Sequence, residues 1–210
     1  MPIESIISFA FASTLLSIAP GPDNIFVLVQ SALYGRKSGI LITLGLCTGL
    51  LVHTTAVAFG VAALFRTSVT AFTLLKIVGA IYLAYLAWQM YRETSKRLEA
   101  RESNFRSNGA MYRRGIIMNI TNPKVSIFFL AFLPQFASPE YGPVTTQMFI
   151  LGGIFICVAM LIFSAVALLA DAIGEWLNSW PKARVYLCRI AGAVFAGLAL
   201  KLAISSAPGG

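Results

Sequence analysis

The sequence predicts an all-α integral membrane protein of six transmembrane helices, arranged as two inverted three-helix repeats, with helices 1 and 4 broken at proline motifs. Three observations predict it. The 210 residues are 58% hydrophobic and only 11% charged, with a mean hydropathy of +0.79, whereas a soluble domain carries about 25% charged residues. Runs long enough to cross a bilayer core of about 30 Å recur six times and use up the length, leaving no room for a soluble domain. Two of those runs are interrupted at corresponding places in the two halves of the chain.

The apolar runs cover residues 3–33, 38–65, 68–90, 114–136, 146–177 and 185–204. The segments between them read as turns and short loops: Tyr34-Gly35-Arg36-Lys37, Arg66-Thr67, a charged stretch over 92–114, Ser138-Pro139-Glu140-Tyr141-Gly142-Pro143 and Trp180-Pro181-Lys182. The first residues, Met1-Pro2-Ile3-Glu4, lack the cationic start of a secretory signal, and the run after them is too long for one. That segment is expected to stay in the mature protein.

The net charge of +8 does not imply nucleic acid as a partner, because the positive residues gather in particular loops rather than along a stripe. Cytoplasmic loops carry the excess of Lys and Arg. Loop one has Arg36 and Lys37. Loop three has Arg92, Lys96, Arg97, Arg101, Arg106, Arg113 and Arg114, and loop five has Lys182, Arg184 and Arg189. The other side offers Arg66 and Lys201. Loops one, three and five are therefore placed in the cytoplasm and both termini in the periplasm, for a multi-pass protein of the bacterial inner membrane. Trp88, Tyr91, Trp176 and Trp180 then fall at the headgroup level. In this topology residues 1–91 form the first repeat, 92–112 a basic cytoplasmic loop and 113–210 the second repeat, running the opposite way through the bilayer.

The first break is Ala19-Pro20-Gly21-Pro22-Asp23-Asn24 and the second Asn119-Ile120-Thr121-Asn122-Pro123-Lys124. Two prolines around a glycine remove amide donors and clash with the preceding turn. The freed carbonyls must face protein or water. Pro22 suits the first position of a new half-helix with Asp23 and Asn24 in its first turn, and Asn122 suits an N-cap before Pro123. Each break thus presents a half-helix N-terminus, which favours anions. At about 1.5 Å per residue, Pro22 lies about 20 Å from Arg36 and Asn122 about 12 Å from Arg114, so both breaks fall near the bilayer midplane. Such a pair suits the α-carboxylate of an amino acid, with Asp23 for the α-ammonium and Lys124 either for the carboxylate or as the balance of Asp23. Pro20, Gly21, Pro22, Asp23, Asn24, Asn119, Asn122, Pro123 and Lys124 are the candidate substrate-binding residues.

Asp23 also supplies a coupling rule, since one carboxylate occupied alternately by a proton and an amine gives antiport. The plainer reading is a carboxylate that caps its half-helix, but intramembrane carboxylates are costly and usually functional. His53 ends a run, Gly45-Leu46-Cys47-Thr48-Gly49-Leu50-Leu51-Val52-His53, in which small residues recur every fourth position and admit another helix. It reads either as the hydrogen-bonded end of a packing seam or as a proton relay. Lys76 reads as snorkelling to the outer headgroups. Asp171 and Glu175, one turn apart, read as interfacial, with Asp171 alternatively lining an inner vestibule. The charges at Glu93, Lys96, Arg97, Glu99, Arg101 and Glu102 read as a solvated helical extension. Gly79 and Tyr82 face either the site or a packing partner.

These residues resemble the LysE/RhtB family of amino-acid exporters, which includes threonine, homoserine and leucine efflux proteins. The matching stretches are Pro20-Gly21-Pro22-Asp23, Gly45 through His53, Lys76-Ile77-Val78-Gly79-Ala80-Ile81-Tyr82-Leu83, Asn122-Pro123-Lys124 and Phe132-Leu133-Pro134-Gln135-Phe136, and residues 192–202 look like the family's last helix. Ala87 and Ala199 stand where members often carry glycine. The resemblance implies proton-driven export of neutral or basic amino acids from the cytoplasm, a site built from the two broken helices, and a homo-oligomer.

Other functions demand residues this chain lacks. A metal or inorganic-ion exporter wants His, Cys or acidic clusters inside the spans, but here there is one histidine, and Cys47, Cys157 and Cys188 are isolated in sequence. That spacing also gives neither a disulfide framework nor a zinc site, and a redox carrier would need a cysteine pair. An enzyme of the hydrolase type needs a nucleophile and base, and no such pair is visible. No cofactor is implied; the expected partners are an amino acid, protons and the lipid bilayer.

Overall fold

A computed structural model describes residues 1–67, 69–92, 107–179 and 181–204, and every regular element among them is helical. Helix α1 (Ile3–Ile18) ends because a residue before proline is pushed out of the helical region; Ala19, before Pro20, has ψ 123°. Gly21 is extended, and α2 (Pro22–Tyr34) starts on Pro22, whose missing amide costs nothing at a first helical position. Gly35 alone separates α2 from α3 (Arg36–Thr67), and its φ of 85° is one that glycine adopts without strain. Helix α4 (Val69–Arg92) completes the first half.

Helix α5 (Asn108–Ile120) is capped by the Ser107 hydroxyl, which accepts from the Ala110 amide at 3.2 Å. Helix α6 (Pro123–Ile127) follows the second break and runs into a π-helical turn over Phe128–Phe132 and a 3-10 turn over Leu133–Phe136. The widened turn sits in a stack of buried rings. Phe128 and Phe132 are 5.0 Å apart, as are Phe132 and Phe136; Phe9 of α1 lies 5.2 Å from Phe136. Helices α7 (Val144–Leu168), α8 (Ala170–Ser179) and α9 (Pro181–Ile204) complete the chain.

Helix α3 is central, packed on α5 and α7; α4 packs on α9, and α1 and α2 on α7. The α3–α5 seam is close enough that a Cβ on Gly45 would strike the backbone of Tyr112 and Gly115, and one on Gly115 the backbone of Ile42. Gly49 continues the seam against Asn119. Among the described residues, Arg36–Gly60, Val144–Leu168 and Val185–Ile204 are long and apolar enough to cross a membrane as single helices. Two pairs qualify as broken spans: Ile3–Ile18 with Pro22–Tyr34, bent by 55°, and Asn108–Ile120 with Pro123–Phe136, bent by 49°. The chain is an integral membrane protein.

Several expected boundaries move. The run over 146–177 is two helices, because α7 ends at Leu168 and Leu169 leaves the helical region before α8 begins. Pro181 and Lys182 open α9 instead of forming a turn, and Arg189 lies within that helix with its guanidinium 5.6 Å from the Tyr91 ring. The fourth run begins earlier than residue 114, at Asn108, since Ser107 supplies the cap. Gly79 is a packing residue: a Cβ there would meet Ala131 of the π-helical turn and Leu202 of α9. The expected extension through Glu93, Lys96, Arg97, Glu99, Arg101 and Glu102 lies outside the described residues, as do Arg106, Trp180 and the side chains of Arg66, Lys76, Glu175, Arg184 and Lys201. Asp171 is exposed in the first turn of α8.

Candidate functional site

The two breaks meet. Ending α1 at Pro20 leaves backbone carbonyls without helical donors, and in a bilayer each unsatisfied group costs several kcal/mol. Side chains satisfy them here. The Lys124 ammonium donates to the carbonyls of Leu16 and Ala19, 2.9 Å to each, and the Asn24 side chain donates to that of Ser17 at 2.7 Å. Gly21 makes room for this reach, since a Cβ on it would sit 3.3 Å from Lys124 Nζ. The lysine also lies 5.6 Å from the Phe195 ring of α9.

At the second break Asn122 is the N-cap of α6, its side-chain oxygen accepting from the Lys124 amide at 3.0 Å. The Asn119 carbonyl accepts from the Asn122 amide at 3.0 Å. It also lies 3.2 Å from His53 Nε2, which must carry the proton because a carbonyl only accepts. The Asn122 and Asn119 side chains hydrogen-bond toward the Asp23 carboxyl group, and the Lys124 charge attracts it. Asp23 stands in the first turn of α2, where the helix dipole favours a negative charge.

These groups surround a cavity of about 20 Å³, which is room for about one water. Gly21, Asp23, Asn24, Asn119, Asn122 and Lys124 line it, with Leu16, Leu50, Val125, Phe155 and Phe163 as its apolar walls. Ser17 lines it too. Three buried oxygens at this cavity have no hydrogen-bond partner: Ser17 Oγ, Asp23 Oδ1 and Asn119 Oδ1.

Of the residues expected from sequence, six line the cavity, while Pro20, Pro22 and Pro123 shape the breaks around it. His53 stands one residue back, touching the cavity only through Asn119, with its ring 5.7 Å from Phe129. Sequence reasoning missed Ser17, Phe155 and Phe163. Ser17 had a signal, for it falls on the same face as buried Phe9, Ser13 and Leu16 one turn before the break. The two phenylalanines had none among the other apolar residues of α7.

A buried polar cluster where two interrupted helices meet, inside a bundle of apolar spans, is the architecture of a membrane transporter. Comparison with known proteins agrees: residues 14–206 match the LysE type translocator family, and the chain belongs to it. It is 34% identical to the homoserine/homoserine lactone efflux protein of Salmonella typhimurium, over 93% of this chain and 94% of that one. It is 29% identical to a membrane protein of Vibrio cholerae, over 99% of this chain and all of the relative. A membrane protein of Bacillus subtilis is 27% identical over 97% of this chain and all of its own length. No solved structure matches the chain.

Proposed function

We propose that this protein is a secondary exporter of small amino acids, of the threonine, homoserine and leucine kind, that moves its substrate out across the bacterial inner membrane in exchange for protons. Membership of a translocator family supports export, and the name of the Salmonella relative supports amino acids and their relatives as cargo. The observation that carries the reading is Asp23, a carboxylate 4% exposed at the meeting of two broken helices, with one oxygen unpartnered.

The ionised carboxylate takes the α-ammonium group of a cytoplasmic substrate. The carboxylate of the substrate lies toward the N-termini of α2 and α6, and the residues from Pro20 to Asn24, with Asn119, Asn122, Pro123 and Lys124, form the site. A proton arriving from outside neutralises Asp23 and frees the substrate. His53, held at the Asn119 carbonyl, is the second proton-coupling residue.

The architecture of this reading is six spans in two inverted repeats, residues 1–91 and 113–210, joined by the basic cytoplasmic loop over 92–112, with both termini periplasmic. Helix α4 is the third span in chain order and brings the number to six, since its 24 residues rise about 36 Å. Helix pairing supports the repeat. Exchanging the first span with the fourth, α3 with α7 and α4 with α9 turns the α3–α5 contact into the contact of α7 with the first span, and leaves the α3–α7 and α4–α9 contacts in place. A metal-ion exporter is the weaker reading, because among the described residues no three His, Cys, Asp or Glu side chains come together.

Uptake of radiolabelled threonine, homoserine and leucine into inside-out vesicles under an imposed pH gradient tests the proposal. Gradient-driven accumulation by wild type, abolished in Asp23→Asn, is expected. Accumulation indifferent to both gradient and substitution removes the antiport mechanism.

A further inference from the structure

We propose that the oxygens of Ser17, Asp23 and Asn119 form a three-point cradle for a primary ammonium group, which makes the amine, and not the carboxylate, the anchoring group of the substrate. The inference rests on the exporter reading and adds Ser17, a residue outside the proline motifs, to the site. Ser17 Oγ, Asp23 Oδ1 and Asn119 Oδ1 are each buried, each on the one cavity and each without a partner. Buried polar atoms are nearly always paired, so three orphans at one cavity call for a donor. A primary ammonium has three N–H donors and no acceptor, which matches the set one for one.

Size and charge point the same way. The cavity is about 20 Å³, enough for a group about as large as water, so an ammonium enters it while the rest of the substrate requires the walls to part. Lys124 does not compete for the role of counter-charge to a carboxylate, because its ammonium already donates to the carbonyls of Leu16 and Ala19. Those carbonyls end α1 and carry its negative dipole, so much of the lysine charge is balanced there. Asp23 is left with charge to spare for a second cation.

The test uses the full-length protein in inside-out vesicles and whichever of threonine, homoserine or leucine wild type accumulates. Unlabelled N-methyl and N,N,N-trimethyl forms of that amino acid are added as competitors. Each methyl removes one charge-assisted hydrogen bond, so the N-methyl form should compete about tenfold less well than the parent and the trimethyl form not detectably. Ser17→Ala should weaken the primary amine about tenfold and the N-methyl form less, narrowing the discrimination. Its melting temperature should not fall, because Ser17 Oγ makes no hydrogen bond to lose. Equal competition by the methylated forms overturns the cradle while leaving the exporter reading standing. A requirement for sodium that potassium does not meet also overturns it, by assigning the three oxygens to a metal ion. No accumulation of any of the three amino acids by inserted wild type overturns the exporter reading itself, and the cradle with it.

Discussion

Lys124 reaches the backbone carbonyl of Ala19 at 2.9 Å although 105 residues separate the two in sequence. The same ammonium holds the Leu16 carbonyl, so a lysine from the second break closes the end of the first broken helix. The two breaks are therefore parts of one structure, and disturbing either one should be felt at the other.

Lys124→Met is the direct check on that closure. It leaves two buried carbonyls without their donor, at about 1–3 kcal/mol for each unsatisfied group, and takes away a charge that attracts the Asp23 carboxyl group. A large fall in the melting temperature of the detergent-solubilised protein is expected, partly recovered when Asp23→Asn is added. A single variant that melts like wild type would show that the lysine is not needed to cap α1.

Gly21→Ala tests the room that the lysine needs. The backbone there is extended, with φ −167°, so alanine meets no conformational strain and the whole effect arises at Lys124 Nζ. A loss of about 1 kcal/mol is expected. In the background of Lys124→Met the loss should shrink by at least about 0.5 kcal/mol, since contacting residues couple. Additive losses in a double-mutant cycle would place the effect elsewhere.

Neighbouring glycines on α7 should respond in opposite directions. A Cβ on Gly152 would strike the Thr54 side chain of α3, whereas one on Gly153 meets nothing within 4 Å. Gly152→Ala is expected to destabilise by about 1–3 kcal/mol through overpacking. Gly153→Ala should gain about 0.5–1 kcal/mol from helix propensity. Paired thermal melts read both, and equal shifts would contradict the α3–α7 contact.

Replacing His53 distinguishes the proton-coupling role proposed for it from a structural one. Glutamine retains an N–H donor for the Asn119 carbonyl but cannot titrate, and alanine does neither. As a proton-coupling residue, His53→Gln should fold as stably as wild type yet lose the dependence of uptake on the pH gradient near neutrality. A glutamine variant that keeps full gradient dependence assigns the histidine to the packing seam, where His53→Ala alone would then be harmful.

Much of this architecture was legible in the sequence because proline and small residues act locally. Pro20 and Pro22 dictate where α1 stops and α2 starts, Asn122 before Pro123 marks a cap, and the spacing of Gly45, Gly49 and His53 describes a helix contact. What was illegible depends on which parts of the fold come together. That Lys124 would turn to α1 rather than wait for a ligand follows only when α1 ends beside α6. Phe155 and Phe163 become cavity walls through the placement of α7, which no periodicity reveals in a helix apolar all round. The split at Leu169 was equally hidden, since no proline or glycine marks it.

Gly35 carries a mechanical consequence. Neighbouring Cα atoms are 3.8 Å apart across a trans peptide, so a link of one residue between α2 and α3 has almost no slack. Helix α2 can swing about this joint like a door on its hinge, but it cannot slide past its neighbour. In a carrier that opens alternately to the two sides, Asp23 would then travel by rotation, along an arc whose pivot lies at the C-terminal end of α2.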